Sequence, residues 1–308
     1  MDNNIIDFTQ KLAAINIIFN PHEMGIQNIF NNISSYKKYC KIVYIVDNSS
    51  SSNEDLFRSI PDIIYISNKN KGGIAGAQNL GCKRALEDGF EWAMTMDQDS
   101  FFEHQQIDFY IKLVSDYVST KNDAVSFAPR IIDLNESRYW THVLRKNILG
   151  PLKRQFLRKS LPKMEDIVFP TEVIASSNII NLKIWELVGG FDEFLFIEQV
   201  DYDFCHKLIQ NGYKIVKFNN VTLNQHFGKR VFSLFPKYYP WYNDKRMYYV
   251  FRNLFIEIYR FPEYSEKYKK IIKQRFFDYC INTINPIGHY INFKKAYKDY
   301  FHYIKSYS

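Results

Sequence analysis

Short apolar runs alternate with helical patterns through the first 130 residues, and this order constrains the fold more than any other feature. Each run is too short to span a bilayer and is typical of a buried strand. A Gly-rich loop follows the third run and leads into a helical pattern that ends at Gly89. Strands that alternate with helices predict parallel βαβ units in one α/β sheet. The predicted strands are residues 12–19, 42–46, 63–66, 92–96 and 124–128, and a further helix is predicted over 105–118.

Polar residues stand where three of the predicted strands end. Asn20 follows the first strand, Asp47 ends the second, and Asp97 and Asp99 follow the fourth. In open α/β sheets, ligands bind beyond the carboxyl ends of the strands. We therefore expect a ligand site at this edge of the sheet.

The second half of the chain divides into an ordered part and a basic part. Residues 171–218 predict two helices, around "LKIWELVGG" and "VDYDFCHKLIQNG", and a strand "KIVKF". Residues 133–170 are basic without a clean period, which indicates a long loop or a hairpin excursion. From residue 229 the pattern is helical and punctuated by prolines. We predict a catalytic domain over residues 1–228 and a helical C-terminal region over 229–308.

Composition excludes several classes of protein. A disordered chain would not carry 17% aromatic residues. Four scattered cysteines without a C-x-x-C pattern exclude a disulfide scaffold and argue against a cysteine zinc site. The scattered cysteines fit a reducing cytoplasm. The polar start "MDNNIIDFTQ" does not fit a signal peptide.

Positive charge is concentrated in the C-terminal region. Residues 229–308 carry 16 Lys/Arg against 6 Asp/Glu, a balance of +10, whereas residues 1–228 have a balance of −3. With many Tyr and Phe beside the lysines, this composition suits an anionic membrane surface and equally a helical cap with solvated lysines. A nucleic-acid-binding module is a rival class, but the near-neutral body and the lack of an RNA-binding signature argue against it.

Two acidic patterns could serve chemistry. Asp97-Gln98-Asp99 at a strand end could gather oxygen ligands around a divalent cation, or could be a polar loop. Glu198, Asp201 and Asp203 crowd into six residues, and like charges this close raise at least one pKa, which suits a general base. In a helix, Glu198 and Asp201 would share one face; the alternative is a solvated acidic helix start.

Three further features are weaker alone. Asp47 could accept the ring N–H of a uracil, thymine or guanine base, or could form an Asx turn. The loop "NKNKGGIAGAQNLG" could approach a phosphate, or could simply need glycine φ angles. His226 in "LNQHFG" is a candidate metal ligand, although a lone histidine is more often structural.

The order of these motifs carries a resemblance that no single motif does. "FNP", "VDN", "NKGGIAGAQNLG", "MDQDS", "GGFDEFLFIEQVDYDFCHKLIQNGYKI", "QHFG" and "YYPWYNDKRMYYVFRN" follow one another. The series resembles inverting bacterial glycosyltransferases of the GT-A fold, family 2 type. It is most similar to the rhamnosyltransferase-like branch that builds O-antigen and capsule chains, and it covers about residues 13–255. The resemblance implies a Rossmann-like mixed sheet flanked by helices.

The resemblance also implies a role for each matching residue. Asp201 is the expected catalytic base and Glu198 an acceptor residue, while Asp99 and His226 would hold Mn²⁺ or Mg²⁺. The residues expected along the nucleotide are Phe19, Asn20, Pro21, Asp47, Asn70, Gly72, Gly73, Gln78 and Asp97.

Departures from the family pattern concern the sugar and the acceptor more than the chemistry. Val200 precedes Asp201 where many relatives have Glu, and Glu198 instead resembles the rhamnosyltransferase-like branch. Lys207 and Asn178 stand where many relatives have Arg and Gly.

The implied reaction moves rhamnose or another hexose from a UDP- or dTDP-sugar to a glycan or polyprenyl-diphosphate-linked acceptor, with inversion. An enzyme of this kind is expected in the cytoplasm, peripherally bound at the inner face of the plasma membrane, with no nucleic-acid partner. A nucleotidyltransferase that also uses nucleotide sugars is the nearer alternative.

Overall fold

The computed structural model describes residues 3–103, 105–121, 123–134, 165–226, 230–231, 239–240, 243–281 and 285–307. A mixed sheet lies between helices, so the predicted α/β class is confirmed. Most of the predicted excursion over 133–170 lies outside the described residues. The strands are β1 (Leu12–Ile18), β2 (Ile42–Asp47), β3 (Ile63–Ser67), β4 (Trp92–Asp97), β5 (Ser100–Phe101), β6 (Ala124–Asp133), β7 (Ile167–Val168), β8 (Asn178–Asn181), β9 (Lys214–Gln225), β10 (Arg230–Val231) and β11 (Tyr239–Pro240).

Ten α-helices are described, joined by short 3₁₀ and π turns. All the helices predicted from spacing are present, with boundaries shifted by a few residues. The helices are α1 (Asn3–Gln10), α2 (Pro21–Met24), α3 (Ile26–Ser34), α4 (Gly73–Glu87), α5 (Gln106–Thr120), α6 (Leu182–Leu187), α7 (Val200–Gln210), α8 (Asp244–Arg260), α9 (Ser265–Phe276) and α10 (Pro286–Tyr307).

The first half of the sheet is parallel. Its strands follow the order β3-β2-β1-β4, with every neighbouring pair parallel. The register places Asp47 opposite Ile18 and Asp97 opposite Ile17, so both carboxylates lie at one edge of the sheet. The predicted meeting of strand ends is therefore confirmed.

The second half of the sheet reverses direction and completes the site. β8 pairs antiparallel with β4, followed by β6, β9 and β5. β9 is longer than the predicted "KIVKF", because it bulges past Phe218 and runs on to Gln225. That extension brings Gln225 opposite Ser100, directly behind Asp99.

Buried apolar clusters cover both faces of the sheet. One lies under α1, α3 and α5, and the other under α4, α6 and α7. The second cluster also contains Ile256 of α8 and Tyr303 of α10. Full burial of an Ile side chain such as Ile256 contributes about 1.5–3 kcal/mol. The C-terminal helices are thus packed onto the α/β body, and the boundary at residue 228/229 stays a prediction. None of the helices in the described ranges has both the length and the apolar character needed to cross a membrane.

Candidate active site

A cavity of about 650 Å³ opens beyond the carboxyl ends of the parallel strands. This volume lies in the range of small-molecule sites. Its walls come from strand ends, from the segment before α7 and from the start of α8. Among the lining residues are Phe19, Asn48, Asn70, Asp97, Asp99, Ala175, Phe196, Glu198, Asp201, Tyr202, Gln225, Lys245, Arg246 and Tyr249.

The end of β1 is clamped to the end of β4. The Phe19 N–H donates to Gln98 Oε1 at 2.9 Å, and Gln98 Nε2 donates back to the Phe19 carbonyl at 3.1 Å. Phe19 as a residue is 49% exposed, and it lines the cavity. Asn20 turns the chain through a left-handed φ of 46°, and Pro21 begins α2 behind it. The predicted "FNP" trio therefore borders the cavity mainly through Phe19.

Asp47 lies at the centre of a tight turn and is only 1% exposed. Its carboxylate accepts hydrogen bonds from the N–H groups of Ser49 and Asn53, from Asn53 Nδ2 and from the Tyr65 hydroxyl at 2.6 Å. Burial alone would raise the pKa of Asp47, but the hydrogen bonds from Ser49, Tyr65 and Asn53 outweigh it and lower the pKa. Asn48, the next residue, lines the cavity. The base-reading role of Asp47 stays a prediction.

The Gly-rich loop permits a close approach between two chain segments. Gly72 and Gly73 have φ values of 67° and 64°, and a Cβ on Gly73 would collide with Phe196. The Ile74 N–H donates to the Phe196 carbonyl at 2.8 Å. Asn70 lines the cavity. The loop thus fixes the segment before α7 against the start of α4, and its contact with a nucleotide stays a prediction.

Asp97 and Asp99 are drawn together by one side chain. Gln225 Nε2 donates to Asp97 Oδ2 at 3.0 Å and to Asp99 Oδ1 at 3.2 Å. Ser176 Oγ also donates to Asp97 at 3.0 Å. Burial and the neighbouring Asp97 raise the pKa of Asp99 to about 7, and burial raises the pKa of Asp97. Two neighbouring carboxylates repel each other when both are ionised, and a bound cation would offset this repulsion.

His226 lies beside this pair. Its backbone N–H donates to the Asp99 carbonyl at 3.3 Å, and its ring packs 6.3 Å from that of Phe101. Within the described ranges, no three His, Cys, Asp or Glu side chains are assembled into a ready metal cluster. Carboxylate oxygens nevertheless suit Mg²⁺ or Mn²⁺, so Asp97 and Asp99 fit such an ion, and the part of the His226 ring in holding it stays a prediction.

Asp201 lies at the start of α7 and points into the cavity. The Ala175 N–H donates to its Oδ2 at 3.0 Å. Burial raises the pKa of Asp201 to about 7, while the Ala175 N–H and the buried Gln78 amide partly offset this rise. A carboxyl with a pKa near neutrality is suited to accept a proton at cellular pH. Gln78 itself is fully buried and is not among the residues lining the cavity.

Glu198 shares the cavity with Asp201 but not a helical face. α7 begins only at Val200, and Glu198 and Gln199 have left-handed φ values of 64° and 63°. The condition for a shared helical face of Glu198 and Asp201 is therefore not met, because the chain turns sharply before the helix starts. The Glu198 carboxylate instead pairs with Arg246 of α8.

The strained segment before α7 is held by the C-terminal region. Asn253 Nδ2 donates to the carbonyls of Leu195, Ile197 and Glu198 at 2.8–2.9 Å. Phe196 stacks on Tyr249 with ring centroids 5.0 Å apart. Left-handed non-glycine residues persist only where the surroundings over-determine them. α8 therefore builds one wall of the site.

Sequence reasoning missed Lys245, Arg246 and Tyr249 as site residues. They line the cavity, and the charge of Arg246 partly offsets the rise that burial causes in the pKa of Asp97. The sequence signal for this helix is Asn243, a typical N-cap residue, before a long helical run. In the structure its side chain caps α8 by accepting a hydrogen bond from the Arg246 N–H at 2.9 Å. A capped helix in the basic tail was visible, but its contact with the acidic segment was not.

The strand order and the cavity beyond the ends of the parallel strands agree with a glycosyltransferase of the GT-A fold. Residues 17–171, half of the chain, match the family described as Glycosyl transferase family 2. The chain belongs to this family, and the expected family and fold are confirmed.

One relative is similar to the chain over most of its length. The chain is 27% identical to the dTDP-rhamnosyl transferase RfbF of Shigella flexneri over 249 residues, covering 80% of this chain and 79% of that protein.

Two solved structures share the fold. Residues 1–349 of S. aureus TarS align with a TM-score of 0.55 at 14% identity, covering 94% of this chain and 81% of that one. GalNAc-T7, solved with UDP, GalNAc and Mn²⁺, aligns with a TM-score of 0.51 at 12% identity. That alignment covers 71% of this chain but only 44% of GalNAc-T7. At such identities the likeness concerns the fold alone.

Proposed function

We propose that this enzyme moves rhamnose or another hexose from a UDP- or dTDP-sugar to a lipid-linked or polysaccharide acceptor, with inversion, in O-antigen, capsule or related cell-surface glycan synthesis. The observation that carries this proposal is Asp201, a carboxyl with a pKa raised to about 7 in the same cavity as Asp97 and Asp99. One group can accept a proton while the others serve the leaving group.

The reaction is a single in-line displacement. Asp201 takes the proton of an acceptor hydroxyl, whose oxygen forms a bond to the anomeric carbon. The bond from that carbon to the diphosphate oxygen breaks, and the nucleoside diphosphate leaves with the electron pair. One displacement inverts the configuration. General-base assistance of this kind is worth about 10²–10⁴-fold.

Asp99 and His226, beside Asp97, would hold Mn²⁺ or Mg²⁺. Their support is the raised pKa of the Asp97–Asp99 pair, which an added positive charge would lower. A bound divalent cation supplies charge stabilisation to a leaving diphosphate. Arg246 adds a fixed positive charge near the same carboxylates.

The donor would lie along the strand-end wall. In this proposal Phe19, Asn20 and Pro21 border the base and Asp47 accepts its ring N–H. Asn70, Gly72 and Gly73 follow the ribose and diphosphate, and the fully buried Gln78 would support this wall from behind. A dTDP donor agrees with the Shigella relative, which is named a dTDP-rhamnosyl transferase.

The acceptor side would be formed by Glu198 and the start of α8. A polyprenyl-diphosphate carrier would keep the acceptor at a membrane, so we propose that the protein binds the anionic inner face of the plasma membrane from the cytoplasm. The +10 balance of residues 229–308 supports this placement.

A thermal-shift screen of UDP-, dTDP- and GDP-sugars with Mn²⁺ or Mg²⁺ tests the donor, because ligands that bind the folded state raise the melting temperature. Product analysis then tests the reaction. An inverted glycoside is expected, whereas a newly made nucleoside-diphosphate sugar would identify a nucleotidyltransferase and overturn the proposal.

A further inference from the structure

The C-terminal helix α10 presents an apolar face to solvent. Its inner residues His289, Ala296 and Tyr303 are buried against the protein. Its outer positions carry large apolar side chains, of which Ile287 is 75% exposed and Ile291 61% exposed. We call these the outer face of α10: Ile287, Tyr290, Ile291, Tyr297 and Phe301, with Lys294, Lys298 and Lys305.

The outer face is cationic as well as apolar. Its lysines are exposed, and Lys294 lies over the Tyr290 ring at 5.0 Å. Asp299 is the acidic residue of this helix, and it accepts a hydrogen bond from Tyr248 at 2.6 Å instead of facing outward to the lysines. Lysines beside Tyr, Phe and Ile on one helical face match the interface of an anionic bilayer, where headgroups meet acyl chains.

The apolar end of α10 lies next to the active-site wall. Asn292 Nδ2 donates to the Asp244 carbonyl at 2.8 Å, and His289 Nε2 lies 3.0 Å from Asp244 Oδ1. Asp244 is the first residue of α8, and the following residues Lys245 and Arg246 line the cavity. The end of the helix that bears Ile287 and Ile291 is therefore fixed beside the cavity.

We propose that the outer face of α10 lies flat on an anionic membrane and holds the cavity beside the lipid headgroups. This inference rests on the lipid-linked acceptor of the proposed function and names the surface that reaches it. Charge complementarity selects the occupant, because an apolar face used for a second copy of the chain would bring these lysines together.

Vesicle co-sedimentation of the full chain tests the surface. The variant Ile291→Glu/Lys294→Glu is compared with Lys183→Glu/Leu187→Glu on α6, which makes the same changes at exposed positions, Leu187 being 71% exposed. Wild type should bind vesicles of phosphatidylcholine with phosphatidylglycerol and bind pure phosphatidylcholine far less. The α10 variant changes the charge of this face by −3, and one charge near the surface is worth about fivefold, so it should bind about 100-fold more weakly. The α6 variant should bind like wild type.

Other results would overturn the inference. Equal loss in both variants, or equal binding to neutral and anionic vesicles, would exclude a specific cationic surface. So would binding to single-stranded RNA in place of vesicles, or a wild-type dimer that the α10 variant converts to monomers. Transfer to a short water-soluble acceptor separates the two proposals. An α10 variant that loses vesicle binding but transfers normally supports the membrane surface. A wild-type protein that binds vesicles but transfers nothing would count against the proposed function alone.

Discussion

The turn after β2 and the start of α7 each bury a carboxylate, yet the two carboxylates have opposite properties. Asp47 accepts four hydrogen bonds, and its pKa is lowered. Asp201 accepts one backbone hydrogen bond at its Oδ2, and burial raises its pKa to about 7. Burial is common to both, so the supply of donors decides whether a carboxylate stays ionised or can exchange a proton.

This difference has an energetic cause. A hydrogen bond to a charged group contributes about 1.5–3 kcal/mol, so several donors can offset the loss of hydration at Asp47. Asp201 lacks that compensation and lies among other acidic groups, because Asp97 and Glu198 both raise its pKa. The donors in the turn after β2 keep Asp47 ionised, whereas the surroundings of Asp201 at the start of α7 favour its protonated form.

The largest effect is expected from Asp201→Asn. Asn keeps the shape of Asp but cannot take up the proton of the acceptor's hydroxyl. The kcat should therefore fall by about 10²–10⁴-fold while donor binding is retained. The measurement is kcat at saturating donor, with the donor dissociation constant determined in parallel.

Glu198→Gln is the matched control, since it makes the same chemical change in the same cavity. It should alter mainly the acceptor KM or the pH optimum, because Glu198 is already paired with Arg246. Near-normal kcat for Asp201→Asn together with an inactive Glu198→Gln would assign the base to the other carboxylate.

Asp99→Asn should produce the next largest effect. Removing one charge from the Asp97–Asp99 pair should weaken divalent-ion binding and lower donor turnover by about 10²-fold, as for loss of one electrostatic group at a transition state. Turnover is measured across a Mn²⁺ titration. Full activity in EDTA, or an unchanged Mn²⁺ dependence in the variant, would contradict the role of Asp99.

Asp47→Ala should act on stability and on the donor together. It leaves the donors of Ser49, Asn53 and Tyr65 without their acceptor, which should cost about 1–3 kcal/mol in the free energy of unfolding. If Asp47 also reads the base, the dissociation constants of UDP and dTDP should rise. Tyr65→Phe removes one donor but keeps the carboxylate, so it should lower stability without changing nucleotide affinity. Unchanged nucleotide affinity in Asp47→Ala would contradict base recognition and leave this residue with only a structural role in the turn.

The two regions also differ in how far the sequence predicts them. The end of β4 was predictable, because strand period and a following polar residue are local signals that place Asp97 at the ligand edge. Arg246 was not predictable, because it reaches Glu198 through a tertiary contact across 48 positions. The left-handed turn at Glu198 and Gln199 was missed for the same reason: Asn253, from another helix, holds it.

The smallest effect is a difference in the pH dependence of stability, measured in EDTA on Asp201→Asn and Asp47→Asn. The folded-state pKa of Asp201, about 7, lies above its unfolded value of about 3.9. Its contribution to stability is therefore complete below pH ~4 and is lost as the pH rises towards 7. Asn stays neutral throughout, so the melting temperature of Asp201→Asn relative to wild type should rise across this window and then level off.

Asp47 has a lowered pKa, so its contribution to stability is present at neutral pH and is lost on acidification. Asp47→Asn should thus be less stable than wild type at pH 7, and the gap should narrow as the pH falls. Profiles that run parallel for the two variants would show that donor supply does not separate these carboxylates.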